Sequence, residues 1–153
     1  MKACIEQVDL AGIRSRVIKS NPSVIALGTF DGVHLGHQAI LDRAARQARV
    51  GGLESIAFTF DRLPLELLSP QEAPRLLCSP QERLRLLSLY VDRVVSIRFD
   101  HSFADLPPLQ FVEEVLVEGL GCRGIVVGFN HRFGRKGEGH TDILRALCAS
   151  LCL

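Results

Sequence analysis

Four short apolar runs, residues 24–28, 55–60, 93–99 and 124–128, alternate with segments of helical periodicity. Runs of this length, apolar at consecutive positions and rich in β-branched side chains, suit strands of a parallel sheet covered on both faces. The intervening segments supply the covers. Ile40, Leu41, Ala44, Ala45 and Ala48 recur at helical spacing over 38–50, and Gly51-Gly52 closes that pattern. Ser79-Pro80-Gln81-Glu82 has the form of a capping box with proline at the first helical position, opening a helix over 80–90. Phe111, Val112, Val115, Leu116 and Leu120 make another stripe, and Thr141 is placed to cap a last helix over 142–153. Strands alternating with helices call for right-handed crossovers, so the expected fold is α/β, a Rossmann-like doubly wound parallel sheet. A length of 153 residues suits one such domain. Residues 1–23 read as a lead-in and 24–153 as the domain, with the three-proline stretch 69–80 as a mobile excursion.

Composition mainly excludes. An apolar fraction of 47% fits a packed core. A formal net charge of +1 gives no broad field for nucleic acid or an anionic membrane. The five cysteines form no CxxC and have no histidines at zinc-ligand spacing, which argues against a structural metal and for free thiols. The opening MKACIEQVDLAGIRSR has no uninterrupted apolar core, and no stretch reaches the length of a membrane span. The expectation is a soluble, cytoplasmic protein.

In doubly wound sheets, ligands bind at the carboxyl ends of the strands. Two loops fall there, 28–37 and 128–140. The first reads Gly28-Thr29-Phe30-Asp31-Gly32-Val33-His34-Leu35-Gly36-His37. Gly28 and Gly32 permit sharp turns and close approach of a ligand. Gly36 falls in the first helical turn, where a side chain would obstruct a phosphate resting on the free amides. His34 and His37, three residues apart, share one helix face and can donate hydrogen bonds to phosphate oxygens. A bound triphosphate would favour their protonated forms. The bland alternative is a glycine-rich turn carrying two surface histidines.

GTFDGVHLGH resembles the signature of the bacterial FAD synthetase family, in its FMN adenylyltransferase module. The HxGH element is shared with cytidylyltransferases, other adenylyltransferases and class I aminoacyl-tRNA synthetases, while the FDGVHxGH form narrows the choice. By this resemblance, Gly28, Thr29, Phe30, Asp31, Gly32, His34, Gly36 and His37 bind ATP, and His34 and His37 are the catalytic pair. Asp31 either touches the metal or, the favoured role, pins the turn as an acceptor.

The second loop, Val127-Gly128-Phe129-Asn130-His131-Arg132-Phe133-Gly134-Arg135-Lys136-Gly137, is basic, aromatic and rich in glycine. Phe129 and Phe133 offer flat surface for an aromatic ring; taken alone, the segment reads equally well as an exposed turn with solvated charges. It resembles the family's VGxDFRFG motif, which assigns Asn130, Arg132 and Phe133 to the flavin, with His131 where an aromatic residue is usual. Phe58-Thr59-Phe60-Asp61-Arg62-Leu63-Pro64 resembles TFxPHP but has Arg62 and Leu63 where proline and histidine are usual. Phe60 either borders the flavin or belongs to the core.

The resemblance runs from about residue 24 to 147. The SSTxIR-like phosphate motif and the riboflavin kinase barrel usual in the family are not found, so the domain reads as C-terminally shortened and kinase activity is not expected. The resemblance implies transfer of AMP from ATP to FMN, giving FAD and pyrophosphate, with Mg²⁺ held mainly by phosphates and water and no metal-binding residues of the protein's own. A cytidylyltransferase-like enzyme with another phosphorylated acceptor, and an impaired flavin- or nucleotide-binding remnant, are the rival expectations. The partners expected are ATP and FMN, with no nucleic acid and no membrane.

Overall fold

A computed structural model describes residues 2–15 and 21–153. Five parallel strands form one sheet in the order β1-β4-β3-β2-β5: β1 (Cys4–Val8), β2 (Ser23–Leu27), β3 (Glu54–Phe60), β4 (Arg93–Ile97) and β5 (Cys122–Val126). The four apolar runs are β2 to β5, each within two residues of the expected bounds. The fifth strand comes from the segment read as a lead-in, of which residues 1 and 16–20 lie outside the described part. β1 pairs with β4 at the sheet edge, and Arg93 of β4 lies between Glu6 (3.7 Å) and Glu54 (3.0 Å).

Alternation along each buried strand feeds two cores. Val24 and Ala26 point to one face with Ala57 and Val94, where α2 (Leu35–Gly51) and α4 (Pro80–Leu87) cover them. Small Ala44 and Ala48 let α2 lie close to the sheet. Ile25, Leu27, Ile56 and Phe58 point to the other face. Their cover includes α1 (Leu10–Arg14), α5 (His101–Ala104), α7 (Thr141–Ser150) and the Phe111–Gly119 segment. That segment is a π-helix continuing α6 (Pro108–Gln110), where an ordinary helix was expected. The short α3 (Pro64–Leu68) follows β3.

Capping departs from expectation in two places. Ser79 accepts from the Glu82 amide (3.1 Å), but the Glu82 carboxylate pairs with Arg85 (2.6 Å) rather than completing a capping box. α7 begins at Thr141 itself, after His140, with no side-chain cap.

The chain steps from β2 through β3 to β4 on one side and places β5 on the other, so strand order reverses between β2 and β5. A crevice opens at such a reversal, outside the carboxyl ends of the two strands. Both loops singled out in the sequence leave the sheet there.

Candidate functional site

After β2 the chain makes a 3-10 turn over Asp31–Val33 before entering α2. Phe30 (φ 53°) and Val33 (φ 42°) take left-handed conformations, each costing about 1–3 kcal/mol for a non-glycine residue. Both side chains are buried against the α2 face of the sheet, which offsets that strain. The turn is also tied from outside. The Asp31 carboxylate accepts from the Leu77 amide (3.0 Å) and the Cys78 amide (3.4 Å), anchoring the 69–80 excursion to the loop. Thr59 donates its hydroxyl to the Thr29 carbonyl (3.0 Å), and Gln38 donates to Val33 (3.0 Å). Asp31 therefore pins the turn.

His34 is the N-cap of α2, and its Nδ1 accepts from the His37 amide (3.4 Å). The two imidazoles stack at 3.5 Å between centroids and 21° between planes, and Phe30 meets His37 edge-on at 5.5 Å. One nitrogen of each ring is turned away from solvent ligands: Nδ1 of His34 accepts the capping bond, and Nδ1 of His37 is buried without a partner. Contact with an anion is thus limited to one Nε2 per ring. Burial lowers the His37 pKa below the usual imidazole value, and His34 lowers it further, against an upward pull from Asp31. Without an anion, His37 favours its neutral form.

One cavity of about 530 Å³ joins this loop to the rest of the crevice. Seven of the eight phenylalanines line it: Phe30, Phe58, Phe60, Phe99, Phe103, Phe111 and Phe133. All of these rings but Phe30 form a continuous edge-to-face and tilted cluster, with Phe60 5.4 Å from Phe99 and 5.9 Å from Phe58 and Phe103. Gly28, Thr29 and His37 reach the cavity from the first loop, and Asn130, Arg132 and Phe133 from the second. His34, Asp31, Gly32 and Gly36 stand outside its wall. Phe129, expected to offer ring surface there, is instead 92% exposed and points away.

Leu65, Leu68 and Arg83 are contributors that the sequence did not single out. Leu65 and Leu68 of α3 line the cavity beside Pro64. Leu63, singled out in the sequence, is buried and seats the start of α3. Arg83 of α4, 1% exposed, donates to the Phe60 carbonyl at 2.6 Å and so fixes the point where β3 turns into the cavity. Its helical spacing with Leu84 and Leu87 gave no signal, because arginine normally marks the solvent face.

The second loop is closed by an antiparallel bridge between Phe133 and Gly139 and by the Arg135 amide donating to Leu106 (2.6 Å). Gly134 lies at φ 75°, ψ −179°, a region essentially reserved for glycine. A Cβ there would come within 2.9 Å of Pro108 Cγ and 3.0 Å of its nitrogen. Gly134→Ala is expected to cost about 2 kcal/mol of stability, read as a lowered midpoint in urea. An unchanged midpoint would contradict this geometry.

Burial alone depresses the His131 pKa from 6.5 to about 4. The unfolded chain then takes up a proton that the folded chain refuses, so stability present above pH 6.5 is lost as pH falls toward 4. Between about pH 7 and pH 5 this amounts to roughly 2 kcal/mol. The lowered His37 pKa acts with the same sign. Unfolding midpoints measured across that range should fall for the unmodified protein and flatten in His131→Phe. Equal slopes would refute the assignment.

The FAD synthetase family profile matches residues 17–152. Bifunctional riboflavin kinase/FMN adenylyltransferases are similar: that of Listeria monocytogenes is 39% identical over 125 residues, 80% of this chain and 40% of the relative. That of Escherichia coli K12 is 38% identical over 123 residues, 80% and 39% respectively. The chain thus spans about two fifths of these relatives' length. A crystal structure described as a macrolide-efflux protein from Streptococcus pneumoniae superposes with a TM-score of 0.74 and 26% identity, over 92% of this chain and 46% of the other. It shares the fold. With the profile covering nearly all of the chain and the signature loop at the strand-order reversal, the protein belongs to the FAD synthetase family.

Proposed function

We propose that this chain is an FMN adenylyltransferase. The observation that carries this reading is the cavity in which a phenylalanine cluster meets His37 in the first turn of α2, beside the helix N-terminus. The aromatic part suits an isoalloxazine ring, and the helix N-terminus, with the Leu35 and Gly36 amides left over from capping, suits phosphates. A phosphate oxygen of FMN attacks the α-phosphorus of ATP. The bond to the bridging oxygen breaks, and its electron pair leaves with pyrophosphate. The FMN phosphate is already an anion, so no side-chain nucleophile or base is needed, and positioning with charge stabilisation carries the reaction. His34 and His37 face the triphosphate and stabilise the charge gathering on the leaving group. Phe60, Phe133, Asn130 and Arg132 hold the flavin.

Among the described residues, no three His, Cys, Asp or Glu side chains are gathered as a metal nest, and the Asp31 carboxylate is engaged by two amides. These residues do not fit a resident metal. Mg²⁺ would arrive on ATP, ligated by its phosphates and water. No helix among the described residues is long and apolar enough to cross a membrane, and we place the enzyme in the cytoplasm with its soluble substrates.

The test is incubation with ATP, Mg²⁺ and FMN, followed by chromatographic separation of flavins. FAD should form, and CTP in place of ATP should give no flavin dinucleotide. Binding of ATP and FMN without turnover would replace this reading with that of a binding module. Product from CTP alone would replace it with a cytidylyltransferase.

A further inference from the structure

His131 occupies a position that the assignment of flavin-binding residues leaves without a role. It ends a turn closed by its own amide donating to the Gly128 carbonyl (3.1 Å), and its side chain lines the cavity. The imidazole stacks over Phe133 at 6.1 Å with 14° between planes. No described residue hydrogen-bonds to its ring nitrogens, and no charged group sets its protonation. Neutral at physiological pH, it offers one N–H donor and one bare acceptor nitrogen. The phenylalanines and Leu106 around it offer neither. Arg132 and Lys136, the basic side chains of the same wall, can only donate.

This inference rests on the FMN reading above. With the FMN phosphate at the α2 N-terminus, the apolar dimethylbenzene side of the isoalloxazine matches the phenylalanine cluster. Its pyrimidine edge, which alternates carbonyl, imide N–H and carbonyl, then matches the second loop. Arginine and lysine satisfy the carbonyls, but the imide N–H needs an acceptor; the Asn130 amide is exposed, whereas the His131 ring is largely buried in the wall. We infer that His131 is a specificity-determining residue that accepts the flavin imide N–H through an imidazole nitrogen, so that the site distinguishes flavins from aromatic rings lacking that group.

The probes are FMN and N3-methyl-FMN, which lacks the imide hydrogen, titrated into the full chain by quenching of flavin fluorescence. The unmodified protein should bind FMN about tenfold more tightly than the methylated analogue, the worth of one hydrogen bond to a buried group. His131→Phe keeps a flat ring without an acceptor and should bring the ratio close to one. His131→Asn keeps an acceptor and should restore part of the preference. ATP affinity should be unchanged in both, which also reports that they are folded. Undiminished discrimination in His131→Phe overturns the inference, because the methyl group is then excluded by shape. So does loss of discrimination in Asn130→Ala with retention in His131→Phe, which would move the acceptor to Asn130. Failure of the unmodified protein to bind either flavin defeats the FMN reading itself, and the inference with it.

Discussion

Alanine at His37 is expected to lower the rate of FAD formation by about 100- to 1,000-fold while leaving the KM for ATP within about threefold. The reason lies in the unusual state of this imidazole. It is half-buried, stacked on His34, and held toward its neutral form by desolvation and by its neighbour. Its Nδ1 has no partner, so Nε2 is the nitrogen that meets an anion. A triphosphate brings negative charge that raises the pKa again, and the pull is greatest when the α–β bond breaks and pyrophosphate gathers charge. An interaction that strengthens along the reaction coordinate appears in kcat rather than in ground-state binding. Steady-state kinetics with flavin chromatography as the readout check this directly. A variant with normal kcat, or one whose entire loss lies in KM, would show that His37 only packs against Phe30.

The parts of this protein legible in its sequence are those where one physical demand dominates. Strands β2 to β5 are buried on both faces, and that demand writes a continuous apolar run. The loops after β2 and β5 carry glycines, histidines and basic residues, the composition expected where backbone comes close to an anionic ligand. β1 wrote no such signal. Cys4, Ile5 and Gln7 are exposed and Glu6 and Val8 half-buried at the sheet edge, and Glu6 and Gln7 break the apolar run. The phenylalanine cluster was invisible for a different reason. Its members come from loops and elements spread between Phe58 and Phe133, and only the sheet topology brings them together. Phe129 shows the converse: the composition of its loop suggested a ring contact, but the turn at 128–131 faces it outward. Arg83 could be found only from the fold, because its environment is made by the end of β3. Even the paired histidines were half legible. Spacing put them on one face, but the ring stacking, the cap on His34 Nδ1 and the burial of His37 Nδ1 depend on where the helix starts.

Gly36→Ala is expected to separate stability from activity. Gly36 is the second residue of α2, and alanine is the better helix former by up to about 1 kcal/mol. The melting temperature should therefore hold or rise slightly. The cost falls on the site. A Cβ at this position would lie 3.1 Å from His34 Cε1 and 3.3 Å from its Nδ1, so the imidazole must give way by a few tenths of an ångström. The capping bond it makes is already long at 3.4 Å, and the His37 ring lies only 3.5 Å away, so the displacement passes along the pair. The methyl group would also stand over the Leu35 and Gly36 amides, where the phosphates are to rest. Misplacement on this scale at a centre that works by positioning is worth about 100-fold in turnover. Scanning calorimetry and FAD formation on the same preparation give the two readouts. Normal turnover in a variant of equal or higher stability would show that the phosphates do not seat on this helix end. A fall in both together would mean that the glycine is needed for folding, and that the crowding at His34 is relieved by unwinding the first turn rather than by moving the rings.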